Sequence, residues 1–205
     1  MYTKGDFHIH STCSDGGLTP SEIVKLAKRK EVDIISITDH NNTDGIDEAI
    51  EEGKSQGIRV IPGVELSTRY NKCRVHVLGY FKDDSYNNEL LKIVLLKVRQ
   101  GNIKELRKIF YNNIDFCGYK DKLCVKTGVD ILKFFGATVV LAHPVLLCKK
   151  DFENIINIDF DGIEAKYYKN TEEDTKYLIN IAKERNMIYT AGSDFHDYIE
   201  YYRVH

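Results

Sequence analysis

Residues 6–40, DFHIHSTCSDGGLTPSEIVKLAKRKEVDIISITDH, decide the fold class. The stretch opens on one β-like run, Asp6–Ile9, and closes on another, Asp33–Thr38. Between them, Thr19-Pro20-Ser21-Glu22 is a capping box with proline at the first helical position. Ile23, Leu26 and Ala27 then share one helical face. Strand, helix and strand, with largely continuous apolar strands, is the pattern of a parallel sheet covered by helices.

The alternation continues outward. Further runs are Arg59–Val64, Arg74–Tyr80, Thr138–Ala142, Gly162–Ala165 and Met187–Ala191. A helix is expected over about Thr43 to Gln56, with Gly57 as its C-terminal cap. Thr171 to Asp174 resembles a weaker cap ahead of Tyr177, Leu178, Ile181 and Ala182. Only about Leu66 to Lys72 separates the third and fourth runs, room for a direct pair or a short crossover. Residues 86–136 read as helical, with Leu91, Val94, Val98, Ile109, Ile131, Leu132 and Phe135 at helical spacing. Gly118 and Gly128 break that stretch, which we expect to be a helical insert. One domain over residues 1–205 with seven β/α units predicts an α/β barrel, smaller than the eightfold form of ~250 residues.

The bulk numbers agree with a globular protein: 205 residues, 42% hydrophobic, 29% charged. A net charge of −2 argues against a nucleic-acid or membrane surface over the whole molecule, but allows a local basic groove. No apolar run approaches the ~20 residues that span a membrane. The N-terminus, MYTKGDFHIH, lacks the apolar core of a signal peptide, so a cytoplasmic location is expected. The five cysteines, with no CxxC pair, are expected to be reduced thiols.

Six of the seven histidines lie in or just after a predicted strand: His8, His10, His40, His76, His143 and His196. Asp15, Asp39, Glu65 and Asp194 share these positions. In a β/α barrel, strand C-terminal ends converge on the face where chemistry is built. Each feature alone has a plain alternative. An HxH in a strand is commonly incidental. His76 reads as a core histidine, His143-Pro144 as a strand end, and Ser193-Asp194-Phe195-His196 as a turn. Together the alternatives fail, because buried histidines and carboxylates are costly without compensation, and metal coordination supplies it. His8, His10, Asp15, His40, Glu65, His76, His143, Asp194 and His196 are too many for one tetrahedral ion. Mixed imidazole and carboxylate donors suit two or three divalent ions of Zn, Mn or Fe. Such clusters ionise water near neutral pH and clamp phosphate oxygens.

The ordered set HxH, SxxSDG, TDH, GVE, an internal histidine, AHP and SDxH resembles the PHP (polymerase and histidinol phosphatase) family of metal-dependent phosphoesterases, from His8 to His196. The resemblance implies a distorted seven-stranded (β/α)7 barrel. It implies that all nine residues are metal ligands. One ion would take His8, His10, Glu65 and Asp194, and a second Asp15, His40 and His196. A third would take His76, His143 and a bridging Glu65. Catalysis would run through His8, His10, Glu65, Asp194 and His196, with Asp39 and Glu164 as supporting residues. The leaving-group acid stays open between His196 and His76. The phrases DGGLTP, ITDHN, IPGVELS, VHVLGYF and VLAHP look most like the branch acting on nucleotides and short RNA. Members of that branch usually carry a longer insert. For any one of Arg99, Lys104 and Arg107 on the insert helix a solvated face is the plain reading; if one of them meets phosphate, Arg99 is the expected contact, because guanidinium matches phosphate bidentately. The expectation is therefore hydrolysis of a nucleotide or short oligonucleotide phosphate ester, with no membrane or protein partner inferred. The alternatives are a histidinol-phosphate-type phosphatase and a non-catalytic metal-binding module. The chain ends at residue 205, close behind His196, which leaves a trimmed final helix open.

Overall fold

A computed structural model describes residues 4–117 and 122–197; Gly118 and His205 fall outside them. The opening stretch folds as expected, into β1 (Gly5–Ile9), α1 (Pro20–Arg29) and β2 (Ile34–Ile37). Thr19 caps α1 by accepting from the Glu22 N–H, and the Glu22 carboxylate accepts in return from the Thr19 N–H at 2.9 Å. This satisfies two amides that the first turn leaves unpaired. α2 (Ile46–Gln56) stops at Gly57, whose φ of +70° favours glycine. β3 (Arg59–Val60) completes a parallel three-stranded sheet in the order β1-β2-β3.

A second sheet runs in the order β4-β5-β6-β7-β8. Its strands are β4 (Gly63–Tyr70), β5 (Cys73–Tyr80), β6 (Thr138–Leu141), β7 (Gly162–Tyr167) and β8 (Ile188–Gly192). The third and fourth runs form a direct pair: β4 and β5 are an antiparallel hairpin turned at Asn71-Lys72. Asn71 takes a φ of +52°, which asparagine tolerates. β5 and β6 are also antiparallel, whereas β6-β7 and β7-β8 are parallel.

The α/β class holds, but the strand plan differs from seven uniform β/α units. Among the described residues eight strands lie in two sheets, and the run at 59–64 is divided. Pro62 has no N–H to donate to a ladder, so β3 ends before it and β4 begins after it. Isolated bridges, Ile9–Phe195 and His40–Glu65, link the edges of the two sheets.

Between β5 and β6 lie α3 (Glu89–Arg99), α4 (Ile103–Ile109) and α5 (Val125–Phe134), where the helical insert was expected. Gly128 does not break a helix; it sits inside α5. A Cβ there would meet Thr68 Cγ2 at 2.6 Å, so the glycine lets α5 approach β4. α6 (Lys149–Ile155) follows β6, and α7 (Glu172–Glu184) lies between β7 and β8. The cap of α7 is a full reciprocal box between Thr171 and Asp174.

The main core fills the space between the five-stranded sheet and its helices, around Leu66, Val77, Leu91, Leu106, Ile131 and Leu141. A second core packs α1 and α2 on the three-stranded sheet through Ile9, Ile23, Val24, Ile35 and Ile37. A third, small cluster holds Leu78, Tyr80, Val140 and Ala142 against Phe7 and Ile61. Cys117 and Cys124 are disulfide-bonded, which corrects the all-thiol reading for that pair; Cys13, Cys73 and Cys148 are free. Among the described residues no helix is long and apolar enough to cross a membrane.

Candidate metal centre

The strand ends bring all nine predicted ligands together. Ile9 packs into the helix-covered core, so His8 and His10, one residue to either side, face the opposite way. The loop after β1 turns back at Gly16, where a Cβ would collide with the His10 carbonyl, and so delivers Asp15 over the strand end. β4 supplies Glu65 and β5 supplies His76. The end of β2 supplies His40, and the loops after β6 and β8 supply His143, Asp194 and His196.

Glu65 is the hub. Its Oε1 lies 3.3 Å from His8 Nε2, 2.9 Å from His76 Nδ1 and 3.1 Å from His143 Nε2. Its Oε2 lies 3.1 Å from His10 Nε2 and 3.0 Å from His40 Nδ1. Asp194 Oδ1 lies 3.3 Å from His8 Nε2 and 3.2 Å from His10 Nε2. Asp15 faces His10, His40 and His196 at 3.6, 3.7 and 3.4 Å.

Despite these distances, His8 Nε2, both His10 nitrogens, His40 Nδ1, His76 Nδ1 and Glu65 Oε2 are buried with no well-directed hydrogen-bond partner. Such groups cost ~1–3 kcal/mol each when left unsatisfied. Lone pairs converging on shared points are the arrangement that divalent cations satisfy. Three groups have donor atoms close enough to share an ion: His8, His10, Glu65 and Asp194; His10, Asp15, His40 and His196; and His40, Glu65 and His76. The first matches the expected division. The second adds His10. The third replaces His143 by His40, although His143 still reaches Glu65.

Charge and tautomer follow from the surroundings. Burial opposes the charge on Glu65, but the imidazoles, His8 foremost, hold it well below the usual carboxylate range. Asp194 is also held low, by His10 and His8, against its burial. Burial pushes His8 and His10 down; the carboxylates outweigh it, lifting His8 strongly and His10 to about 9. At His76 burial wins and the pKa is lowered. His8 Nδ1 faces Glu164 Oε1 at 3.0 Å, and His196 Nδ1 faces the Asp194 carbonyl at 2.8 Å. Both partners are acceptors, so Nδ1 keeps its proton, and Nε2 is the nitrogen left to face a metal ion once any proton on it is displaced.

The two expected supporting carboxylates divide. Glu164 orients His8 and accepts from the His143 N–H at 2.7 Å. Asp39 instead ties down the Asp15 loop, accepting from the Ser11 N–H at 2.8 Å, from its hydroxyl at 2.6 Å and from Ser14 Oγ.

A cavity of about 350 Å³ opens beside Asp15, His40 and His76. Arg99 lines it, where the sequence reading placed a phosphate contact, together with Arg69, Arg74 and Lys122. Arg107 instead stacks over Phe116 at 5.7 Å.

A model of the PHP domain matches residues 6–203. The chain belongs to the PHP family. Within reach of it is a 5'-3' exoribonuclease of Haemophilus influenzae, 37% identical, with 96% of this chain and 91% of that protein covered. That alignment spans 254 positions, so the relative contributes residues absent from this 205-residue PHP chain. A 3',5'-nucleoside bisphosphate phosphatase of Chromobacterium violaceum is 33% identical over 51% of this chain and 36% of its own length. The crystal structure of a candidate metal-dependent phosphoesterase from Bifidobacterium adolescentis superposes with a TM-score of 0.76 at 19% identity, covering 98% and 96% of the two chains. At that identity the likeness is one of fold.

Several residues of this PHP site carried no sequence signal. Tyr167 donates to Asp194 Oδ2 at 3.0 Å. Asp6 accepts from the Ser193 N–H at 3.0 Å, its hydroxyl at 2.6 Å and the His8 N–H at 3.3 Å, bracing both ends of the His8–Asp194 seam. Gly192 has room for no Cβ, which would collide with the Glu164 carboxylate and His8. The clue available was position: Asp6 and Tyr167 lie in predicted strands or just beyond them, beside the ligands.

Proposed function

We propose that this metal-dependent phosphoesterase hydrolyses a phosphate ester of a nucleotide or short oligonucleotide, using two or three divalent ions of Zn, Mn or Fe. The observation that carries the reading is the set of unpartnered imidazole nitrogens converging on Glu65 beside a cation-lined cavity. His8, His10, Glu65 and Asp194 would hold one ion; Asp15, His40 and His196, with His10, a second; and Glu65, His76 and His143 or His40 a third. When bound, the ions supply Lewis-acid neutralisation of the phosphoryl oxygens and lower the pKa of water. The protein fixes the donor atoms in advance, through the Glu164, Tyr167 and Asp39 contacts, which lowers the reorganisation cost of the reaction. Arg99 would pair with a phosphate oxygen at the cavity wall. Water adds to phosphorus, the P–O ester bond breaks, and the departing oxygen takes a proton to leave as an alcohol. We read residues 1–205 as one domain of this kind.

The nucleotide assignment is favoured by the named activities of the similar exoribonuclease and bisphosphate phosphatase. The test is metal analysis of the purified chain with a panel of nucleoside monophosphates, nucleoside bisphosphates, 5'-phosphorylated RNA and histidinol phosphate. Turnover of the nucleotide arms in a metal-dependent manner is expected. Bound metal without turnover of any phosphoester would overturn the reading, and exclusive turnover of histidinol phosphate would overturn the nucleotide assignment.

A further inference from the structure

The chain leaves β2 through Asp39, His40 and Asn41, and there it runs parallel to β4. The Glu65 N–H donates to the Asp39 carbonyl at 3.2 Å, and the Asn41 N–H donates to the Glu65 carbonyl at 2.9 Å. His40 is thereby paired with Glu65. A regular parallel ladder would continue with the Ser67 N–H on the Asn41 carbonyl. Asn41 instead takes a φ of +49°, which turns the backbone out of the ladder. Its side chain takes over the pairing: Asn41 Oδ1 accepts from the Ser67 N–H at 2.9 Å, and Asn41 Nδ2 donates to Ser67 Oγ at 2.9 Å. Asparagine suits the position, because it tolerates the left-handed region and its amide can stand in for a peptide group.

This clip rests on three candidate ligands. Asn41 follows His40 and holds the Glu65 carbonyl, and Ser67 stands directly opposite His76 on β5. His40, Glu65 and His76 are the members of one of the three candidate ion groups. His40 Nδ1 lies 3.0 Å from one Glu65 oxygen, and His76 Nδ1 lies 2.9 Å from the other. β2 and β4 belong to different sheets, so no continuous ladder sets the distance from His40 to His76.

The other two groups are braced elsewhere. Glu164 and Tyr167 hold His8 and Asp194, and Asp39 gathers the loop that carries Asp15. Each of those groups has four donors, whereas this one has three. The group with fewest donors gains most from ligands held in place before the ion arrives. Asn41 and Ser67 line the cavity, but each end of the Asn41 amide is already engaged by Ser67.

We propose that Asn41 and Ser67 are positioning residues for the ion shared by His40, Glu65 and His76, and that their reciprocal hydrogen bonds set how tightly that ion is held. The inference rests on the metal-dependent reading above.

The test uses the full chain, stripped with a chelator and titrated with Mn²⁺, with bound ions counted by equilibrium dialysis. The wild-type chain should take up three ions, the last most weakly because its group has the fewest donors. Asn41→Gly keeps the left-handed backbone and removes the amide. It should raise the free Mn²⁺ needed to fill the weakest class by ~10–100-fold and leave the tightest class in place. Asn41→Asp keeps an acceptor for the Ser67 N–H, and the Ser67 hydroxyl can turn to donate to it, so this variant should restore the weakest class. Ser67→Ala loses one bond of the two, should fall between, and carries the test if Asn41→Gly does not fold. Uniform weakening of every class, unchanged binding in Asn41→Gly and Ser67→Ala, no recovery in Asn41→Asp, or a wild-type chain that fills at two ions would overturn the proposal. A wild-type chain that shows the expected binding pattern but cleaves no phosphoester keeps the positioning role and removes the phosphoesterase reading; one that binds no Mn²⁺ removes both.

Discussion

Asp194 shows what the centre demands of single residues. It takes a φ of +53°, a left-handed conformation that costs a non-glycine residue ~1–3 kcal/mol, and His143 takes +28°. Both strained residues face the histidine cluster, where strain is offset by what their side chains reach. Replacing His8 or Asp194 with Ala should abolish phosphoester hydrolysis while circular dichroism still reports a folded chain; full activity in either variant would sink the assignment. Tyr167→Phe removes the donor to Asp194, and Glu164→Gln removes the charge behind His8 and leaves one acceptor oxygen for the His8 Nδ1–H and the His143 N–H. Each should weaken metal affinity ~10–100-fold, measured by competition with a chelator. The nine candidate ligands were legible because a metal needs imidazole and carboxylate donors, and those types recurred at strand ends. Tyr167 was not, because a tyrosine beside a strand is ordinary and its hydroxyl partner lies 27 positions away in sequence.

Among elements, the β1–α1 loop matters most to the centre. Asp39 gathers Ser11 and Ser14, and the gathered loop carries Asp15, whose side chain remains 54% exposed. Asp39→Ala should therefore lower activity at subsaturating metal and be rescued in part by excess metal, since Asp15 is misplaced and not removed. Loss that no metal concentration restores would count against this. Thr19→Ala, which removes the cap of α1, should cost ~1 kcal/mol and lower Tm by ~2–4 °C with turnover unchanged. The caps of α1 and α7 and the glycine stop of α2 could be read directly, since each depends on local chemistry. The division of the third run at Pro62 could also have been read, as proline interrupts a ladder. The antiparallel course of β5 and β6 could not, because strand direction is fixed by long-range pairing, not by local pattern. The role of Gly128 was misread for the same reason: its neighbour is Thr68, on a different element.

For the molecule as a whole, the charge balance predicts a particular pH response of the metal-free form. The raised pKa values of His8 and His10 give stability that is full below the ordinary histidine value of 6.5. That stability is lost as pH rises through their folded values, about 9 for His10. The lowered values of Glu65 and Asp194 give stability present above about 4.5 and 3.8 and lost as pH falls below them. Metal-stripped protein should thus be most stable between about 4.5 and 6.5 and should melt earlier at pH 9 than at pH 6. An unchanged or higher Tm at pH 9 would contradict the balance described. Metal binding should release protons, because the ligands must give them up. Calorimetry in buffers of different ionisation enthalpy measures that release.

The bridges Ile9–Phe195 and His40–Glu65 have one more consequence. The three-stranded and five-stranded sheets are sewn along two seams, and each seam ends on candidate ligands: His10 and Asp194 at one, His40 and Glu65 at the other. The Asp194 N–H donates to the His8 carbonyl, and the Asn41 N–H to the Glu65 carbonyl. Ions bound there would act as rivets through both halves of the molecule. Loading metal should then do more than arm the site: it should fasten the two sheets to each other, so that amide hydrogen exchange along both seams slows together.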